Sequence, residues 1–391
     1  MGLFTGNALR KPEPTLVKRL FLNGVLATSA LLIFFILLEF VVFRFFLVAS
    51  DLPHLAKNSS GILKYAAKQT GTYRLHNEIF AKFNINEEGW NSHHDVYQLV
   101  KDQGVFRICM VGDSYIEALQ VNYDASVAEL LENRLKDSGR QVEVYRFGIS
   151  GAPLSHYLYM IDNEILKYQP DLIIVNLVHN DFGESITPAF GTYSDSFSTL
   201  VTNTDGLKRL SSPKPYRRKP SWWLKQSATF RYLWVRMQIR PDLLKRIWMK
   251  IFQVQLPPNE PTYAANIQVE QSQDSKIKSV LDFSFESLQR IEQDTKTRVL
   301  LVIDGDRSEI VSAIDENREV VSAVDPLNSL VSIVAKKYKL GLVDLTTAFY
   351  EDYLLTRTPL RFMNDGHWNQ HAHSVVARAI AIELSKRELF D

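Results

Sequence analysis

Cysteine is nearly missing from this chain: among 391 residues Cys109 is the single one. That excludes an internal disulfide and a cysteine-built zinc site. Cys109 falls inside the strand-like run Phe106–Val111, so its expected role is to fill space in a core. An excess of one charge is missing too. The 45 Lys and Arg residues almost balance 44 Asp and Glu, leaving a net charge of +1 and no global signal for nucleic acid. Tandem repeats and low-complexity runs are also lacking.

One stretch lacks charge altogether. From Leu20 to Leu38 (LFLNGVLATSALLIFFILL) nineteen residues run without an ionisable side chain. At 1.5 Å per residue they span about 30 Å, the thickness of a bilayer's hydrocarbon core. Arg10, Lys11, Lys18 and Arg19 precede the run, so residues 1–19 are expected in the cytoplasm and the bulk of the chain across the membrane. This reads as a single-pass inner-membrane protein, anchored by residues 20–48, with a periplasmic or extracellular domain. The rival is a cleaved signal peptide: its apolar region is normally only 7–15 residues, but Val48-Ala49-Ser50 is a passable cleavage site. Glu39 and Arg44 are expected at the outer interface, where a charge needs no special role.

With 46% hydrophobic residues the chain can bury a substantial core, and length alone suggests two or three domains. Residues 49–104 read as a linker and a segment that lies against the following domain. From residue 105 to 391 strand and helix signals alternate. Strands are expected at 106–112, 142–148, 171–178, 298–304 and 342–346, and helices at about 125–138, 154–168, 278–294, 327–338 and 371–387. Apolar strands without clean alternation suit a parallel sheet covered on both faces, and the βαβα order means a three-layer α/β domain. Residues about 184–275 interrupt the rhythm. Between 201 and 255 stand 13 Lys or Arg and two acidic residues, interleaved with Trp222, Trp223, Phe230, Tyr232, Trp234 and Trp248. This insertion reads as a solvated helical cap, a lid over a site, a lipid-headgroup contact or a polyanion-binding face.

Four short motifs follow the ends of strands, the edge where open α/β sheets bind ligands. Gly112-Asp113-Ser114 ends the first strand and presents a serine hydroxyl, a weak nucleophile that needs a base. Asp365-Gly366-His367, just before the last helix, supplies one: the carboxylate can orient the imidazole while its other nitrogen takes the serine proton. Gly148-Ile149-Ser150-Gly151 and His179-Asn180-Asp181 offer a backbone N–H and a side-chain amide for a developing oxyanion. Each motif alone is ordinary turn or cap chemistry; the ordered set of four is specific. His371 and His373 lack partners at ligand spacing, so surface or core roles are expected and no metal is called for.

On these residues the chain resembles the SGNH/GDSL hydrolase family. The resemblance covers about residues 105–185 and 295–390. It implies a flavodoxin-like sandwich with a central parallel sheet. It also implies Ser114 as nucleophile and oxyanion donor, Gly151 rather than Gly148 and Asn180 as further donors, and the Asp365–His367 dyad. Ile85 to Val121 is similar to membrane-anchored bacterial members. Two departures stand out. Many members have Asp-x-x-His, whereas Asp365-Gly366-His367-Trp368 resembles the Asp-x-His-Trp of alginate O-acetylation proteins. His179 stands where a glycine often precedes the Asn-Asp pair, and a space-filling role is expected for it.

Three functions follow as expectations. The first is a membrane-anchored serine esterase acting on an ester or acylated-glycan substrate, with no cofactor. The second is an O-acyltransferase that passes the acyl group to an exported polysaccharide or cell-wall glycan, with a membrane acyl-donor protein as partner. The third is a non-catalytic scaffold in an export complex.

Overall fold

A computed structural model describes residues 15–387 apart from 57–60, 188–193, 203–207, 218–219 and 240–273. Its first element is an exposed apolar helix, Leu16–Leu37, continued by wider π-type turns over Leu38–Phe46. Among the described residues this helix alone is long and apolar enough to cross a membrane.

Residues 49–104 hold more than a linker. Ile79–Ile85 alternates strictly between buried and outward side chains, with Phe80 and Lys82 outward, and pairs antiparallel with Gln69–Leu75. These strands, β1 (69–75) and β2 (79–85), form a hairpin whose Phe83 and Ile85 join the main core beside Trp90 and Tyr97. The period-two pattern of Ile-Phe-Ala-Lys-Phe-Asn-Ile was the available signal for this hairpin.

The expected strands are all present: β3 (Phe106–Gly112), β4 (Val142–Gly148), β5 (Leu172–Leu177), then, after the insertion's short pair β6 (Leu200–Thr202) and β7 (Lys208–Leu210), β8 (Arg298–Ile303) and β9 (Gly341–Asp344). The five-stranded sheet is parallel throughout, in the order β4-β3-β5-β8-β9. That is the 2-1-3-4-5 order of flavodoxin-like folds, whose ligand crevice lies where the strand order reverses, beside the first strand. Side chains alternate between the two faces. Cys109 and Val111 join the core under the helices Leu154–Met160, Asp274–Thr295 and Asp325–Lys337. Ile108 and Met110 join the opposite core under Val127–Asp137, Arg307–Asp315, Leu345–Thr356 and Gln370–Lys386. The helices 307–315 and 345–356 were not expected from the sequence.

The insertion does two things within its described part. Its first leg lies beside the domain: Leu200 N donates to Ser185 O at 2.7 Å, and Ser155 Oγ donates to Ser198 O at 2.8 Å. Its helical turns at Ala228–Phe230 and Arg231–Arg236 dock on the end of the membrane-type helix. There Glu39 is not an idle interfacial charge. Its carboxylate accepts from Ser227 Oγ (2.8 Å), Ala228 N (2.7 Å) and Thr229 N (3.0 Å), filling the positive N-terminal end of those turns. Tyr232 stacks on Phe43 at 4.5 Å, and Arg236 donates to the carbonyls of Leu47 and Val48. Trp248 lies outside the described residues.

Candidate active site

β3 delivers the chain to the reversal point of the sheet, and Gly112-Asp113-Ser114 turns it there. Asp113 caps the short helix Ser114–Glu117 by accepting from Tyr115 N at 3.0 Å, and Ala118, in the left-handed region at φ 50°, ends it. The turn presses on the neighbouring strand. A Cβ on Gly148 would lie 2.0 Å from Glu117 N, so glycine is needed at the end of β4 for close approach. Gly151 is needed for a different reason: its φ is +73°, while a Cβ there would meet only Phe197 Cε2, at 4.0 Å.

The loop before the last helix brings its side chains to the same spot. His367 Nε2 lies 2.8 Å from Ser114 Oγ, and His367 Nδ1 lies 2.5 Å from Asp365 Oδ1. Asp365 Oδ1 also accepts from His367 N at 2.9 Å. Nδ1–H therefore faces the carboxylate and Nε2 is left to accept the serine proton. Burial works against a charged imidazole, but the Asp365 hydrogen bond and charge, with Asp113 beyond, raise His367 above its ordinary value. Burial would likewise raise Asp365, and the His367 contact overrides it and holds that carboxyl low.

Gly151 and Asn180 belong to the same edge of the sheet as this chain of three. They stand on the loops after β4 and β5, the two strands on either side of β3. Asn180 opens the short helix Asn180–Glu184. The serine, imidazole and aspartate are thus joined by hydrogen bonds, while the two expected oxyanion donors lie on the loops after the two neighbouring strands.

The other histidines have separate duties. His179 is buried with Nε2 at 2.8 Å from Asn328 Oδ1, a space-filling role. His373 accepts from Val127 N at 3.1 Å through Nδ1, and His371 meets Asp352 at 2.5 Å. His93, His94 and Glu132 bring ligand-type atoms within 4.8 Å of one another. Lys136 already sits 2.6 Å from Glu132, and Arg146 sits 3.2 Å from the adjacent Glu129, so cations occupy the carboxylates.

Sequence reasoning missed the group that holds the site together. Asp304 and Arg307 follow β8 at the same edge of the sheet, and both are buried. Arg307 clasps Asp304 with Nη1 at 2.7 and 2.8 Å. Its Nη2 donates to Tyr115 OH (2.9 Å), next to the serine, and to Gly366 O (2.8 Å), between Asp365 and His367. Trp368 Nε1 completes the set on Asp304 at 3.0 Å. One guanidinium therefore bridges the serine turn and the histidine loop, a planar multi-donor task suited to arginine. The position of Asp304 at a strand's carboxyl end was the signal that could have found it.

No described protein family and no curated protein sequence matches this chain. Several solved structures are remotely similar. An acetyl xylan esterase, AlAXEase, is 14% identical over 71% of this chain and 100% of its own, with a TM-score of 0.40. A single-residue variant of Axe2, an acetyl xylan esterase of Geobacillus stearothermophilus, is 13% identical over 73% of this chain and 97% of its own, at 0.39. A two-domain esterase active on acetylated mannans is 14% identical over 72% of this chain and 49% of its own, also at 0.39. Likeness at this level decides neither fold nor activity; the fold rests on the sheet order and the site on its hydrogen bonds.

Proposed function

We propose that this protein is a membrane-anchored serine esterase of the SGNH/GDSL type. The observation that carries the reading is the hydrogen-bond chain Ser114–His367–Asp365 at the reversal point of a parallel sheet. Ser114 Oγ attacks the ester carbonyl carbon as its proton passes to His367 Nε2. Asp365 holds the imidazole and its positive charge. The oxyanion takes hydrogen bonds from the backbone N–H groups of Ser114 and Gly151 and from the Asn180 amide. When the C–O bond breaks, the alcohol leaves with the proton from His367. Water, deprotonated by His367, then attacks the acyl-enzyme, releases the acid and restores Ser114. Each of these steps is carried by side chains and backbone groups of the chain itself.

The four basic residues before the uncharged run Leu20–Leu38 support a cytoplasmic N-terminus and a catalytic domain on the outer side of the inner membrane. Labelling with a fluorophosphonate probe tests the chemistry. The wild-type chain should be labelled and Ser114→Ala should not; equal labelling of both would remove Ser114 as nucleophile.

A second reading, transfer of the acyl group to a glycan hydroxyl, is favoured by one feature. Glu39 and Arg236 fasten the domain to its helix and keep the site near the bilayer, within reach of a membrane acyl donor. Product analysis with water and glycan as competing acceptors separates the two.

A further inference from the structure

A cavity of about 330 Å³ opens on the β4 side of the serine turn. Glu117, one helical turn beyond Ser114, and Ser150, next to Gly151, form its inner wall. Tyr73 of β1 and Tyr216 and Trp222 of the insertion form aromatic walls, and Lys225 stands at the exposed rim. The segment Leu52–Leu55, six to nine residues beyond the end of the membrane-type helix, closes another side. Fully extended, that link reaches no more than about 20–30 Å, so the cavity lies close to the bilayer surface.

The inner wall is tied to the candidate oxyanion turn. Glu117 accepts from Tyr65 OH at 2.5 Å and from Ser150 N at 3.1 Å, and also from Ser150 Oγ. A ligand lodged against Glu117 and Ser150 would thus be placed against the loop that carries Gly151. The cavity's chemistry narrows the ligand. A phosphate needs converging cations, and Lys225 is the only permanently charged cation among the described lining residues. A long acyl chain needs walls free of hydrogen-bonding groups, and here carboxyl, hydroxyl and amide groups interrupt them. Flat aromatic plates alternating with polar edges suit a ring with apolar C–H faces and a hydroxylated rim.

We propose that this cavity is a pyranose subsite. It seats the uncharged sugar ring on the alcohol side of the ester, at the membrane edge, while the acyl carbonyl meets Ser114. This rests on the serine-esterase reading of that residue, and it assigns the described part of the insertion to substrate recognition.

The test uses full-length Ser114→Ala protein in nanodiscs and partially O-acetylated xylo-, manno- and chitooligosaccharides, followed by saturation-transfer NMR. At least one oligosaccharide should bind. Trp222→Ala should weaken that binding about tenfold or more, and Trp222→Phe, which keeps an aromatic plate, should retain most of it. Trp223→Ala, at the more exposed neighbour outside the cavity wall, is the control and should leave it unchanged. Absence of binding across the panel, or equal effects of Trp222→Ala and Trp223→Ala, overturns the subsite. So does a selective loss of 4-nitrophenyl decanoate over 4-nitrophenyl acetate hydrolysis in Trp222→Ala, since the cavity would then hold the acyl half. Fluorophosphonate labelling of the wild-type chain keeps the two ideas apart. Labelling without sugar binding removes the subsite and keeps the esterase; binding without labelling keeps the subsite and removes the ester chemistry.

Discussion

His367 and His371 stand four residues apart, and each meets an aspartate at 2.5 Å. Nothing in those two distances separates them; the surroundings do. His367 offers Nδ1 to Asp365 and keeps Nε2 for Ser114, so its carboxylate orients a base toward a nucleophile. His371 offers Nε2 to Asp352, whose other oxygen takes Arg378 at 2.5 Å. That second pair joins two helices and ends in an ion pair. An imidazole beside a carboxylate becomes a candidate base only when its second nitrogen faces something that can lose a proton.

The comparison breaks most sharply at the imidazoles themselves. His367→Ala should lower ester turnover by on the order of 10⁴ or more, because members of such a chain act as a unit. His371→Ala should leave turnover within a few-fold. Similar losses in the two variants, measured with 4-nitrophenyl acetate, would remove the distinction between a working base and a structural pair.

Asn180→Ala asks whether the expected oxyanion donors belong to the first pair's machinery. Turnover should fall by about 10²–10³ with substrate binding less affected, the usual loss for one oxyanion donor. An unchanged kcat would reduce Asn180 to a helix-start residue.

Arg307 tests what fixes the first pair in place. Arg307→Ala strands Asp304 in the core and should cost about 3–5 kcal/mol in urea unfolding. Arg307→Lys keeps the charge but loses the fork, and should lower kcat about tenfold or more while KM hardly moves. Equal changes in kcat and KM, or none in either, would make the guanidinium a purely structural filler.

The pH profile sharpens the contrast further. His367 must be neutral to accept a proton, and its pKa is raised above the ordinary 6.5. kcat/KM should therefore climb with pH and level off only above that raised value. Asp365→Asn should move this limb to lower pH and lower its ceiling. His371→Ala should leave the limb in place. The stability supplied by the His367–Asp365 pair runs the other way. It is full between 3.8 and 6.5 and is lost as pH rises through the raised His367 value and as pH falls through the lowered Asp365 value, so the working protonation state is the less stabilised one.

The smallest effect belongs to the second pair as a structural contact. His371 is about 30% exposed, and Asp352 keeps Arg378, so His371→Ala should cost about 1 kcal/mol or less in thermal unfolding. A cost several times larger would make this pair the more heavily used of the two.

Much of this protein is legible in local pattern alone. The five core strands match their apolar runs to within two residues, because strands covered on both faces must be continuously apolar. Ser114, His367 and Asp365 are legible because each follows a strand or precedes a helix in a short polar motif. The hairpin at 69–85 is not, although its second strand alternates cleanly, since its turn residues His76-Asn77-Glu78 give no Asn-Gly or Gly-x signal. The insertion is recognisable only as a basic, aromatic interruption. Its partners, Glu39 and Phe43 on the membrane-type helix, lie about 190 residues away in the chain, beyond what any local period encodes.

The sequence by itself determined the five strands of the parallel sheet, their order, the apolar helix and the choice of the serine, histidine and aspartate. All of these depend on short-range periodicity or on residue type at a strand end. Tertiary structure alone decided that Arg307 reaches back 192 residues to Tyr115 and so ties the serine turn to the histidine loop, and that Glu39 grips the insertion. Those contacts join segments distant in the chain, and their energy comes from burial and hydrogen-bond geometry that exist only after the sheet has assembled.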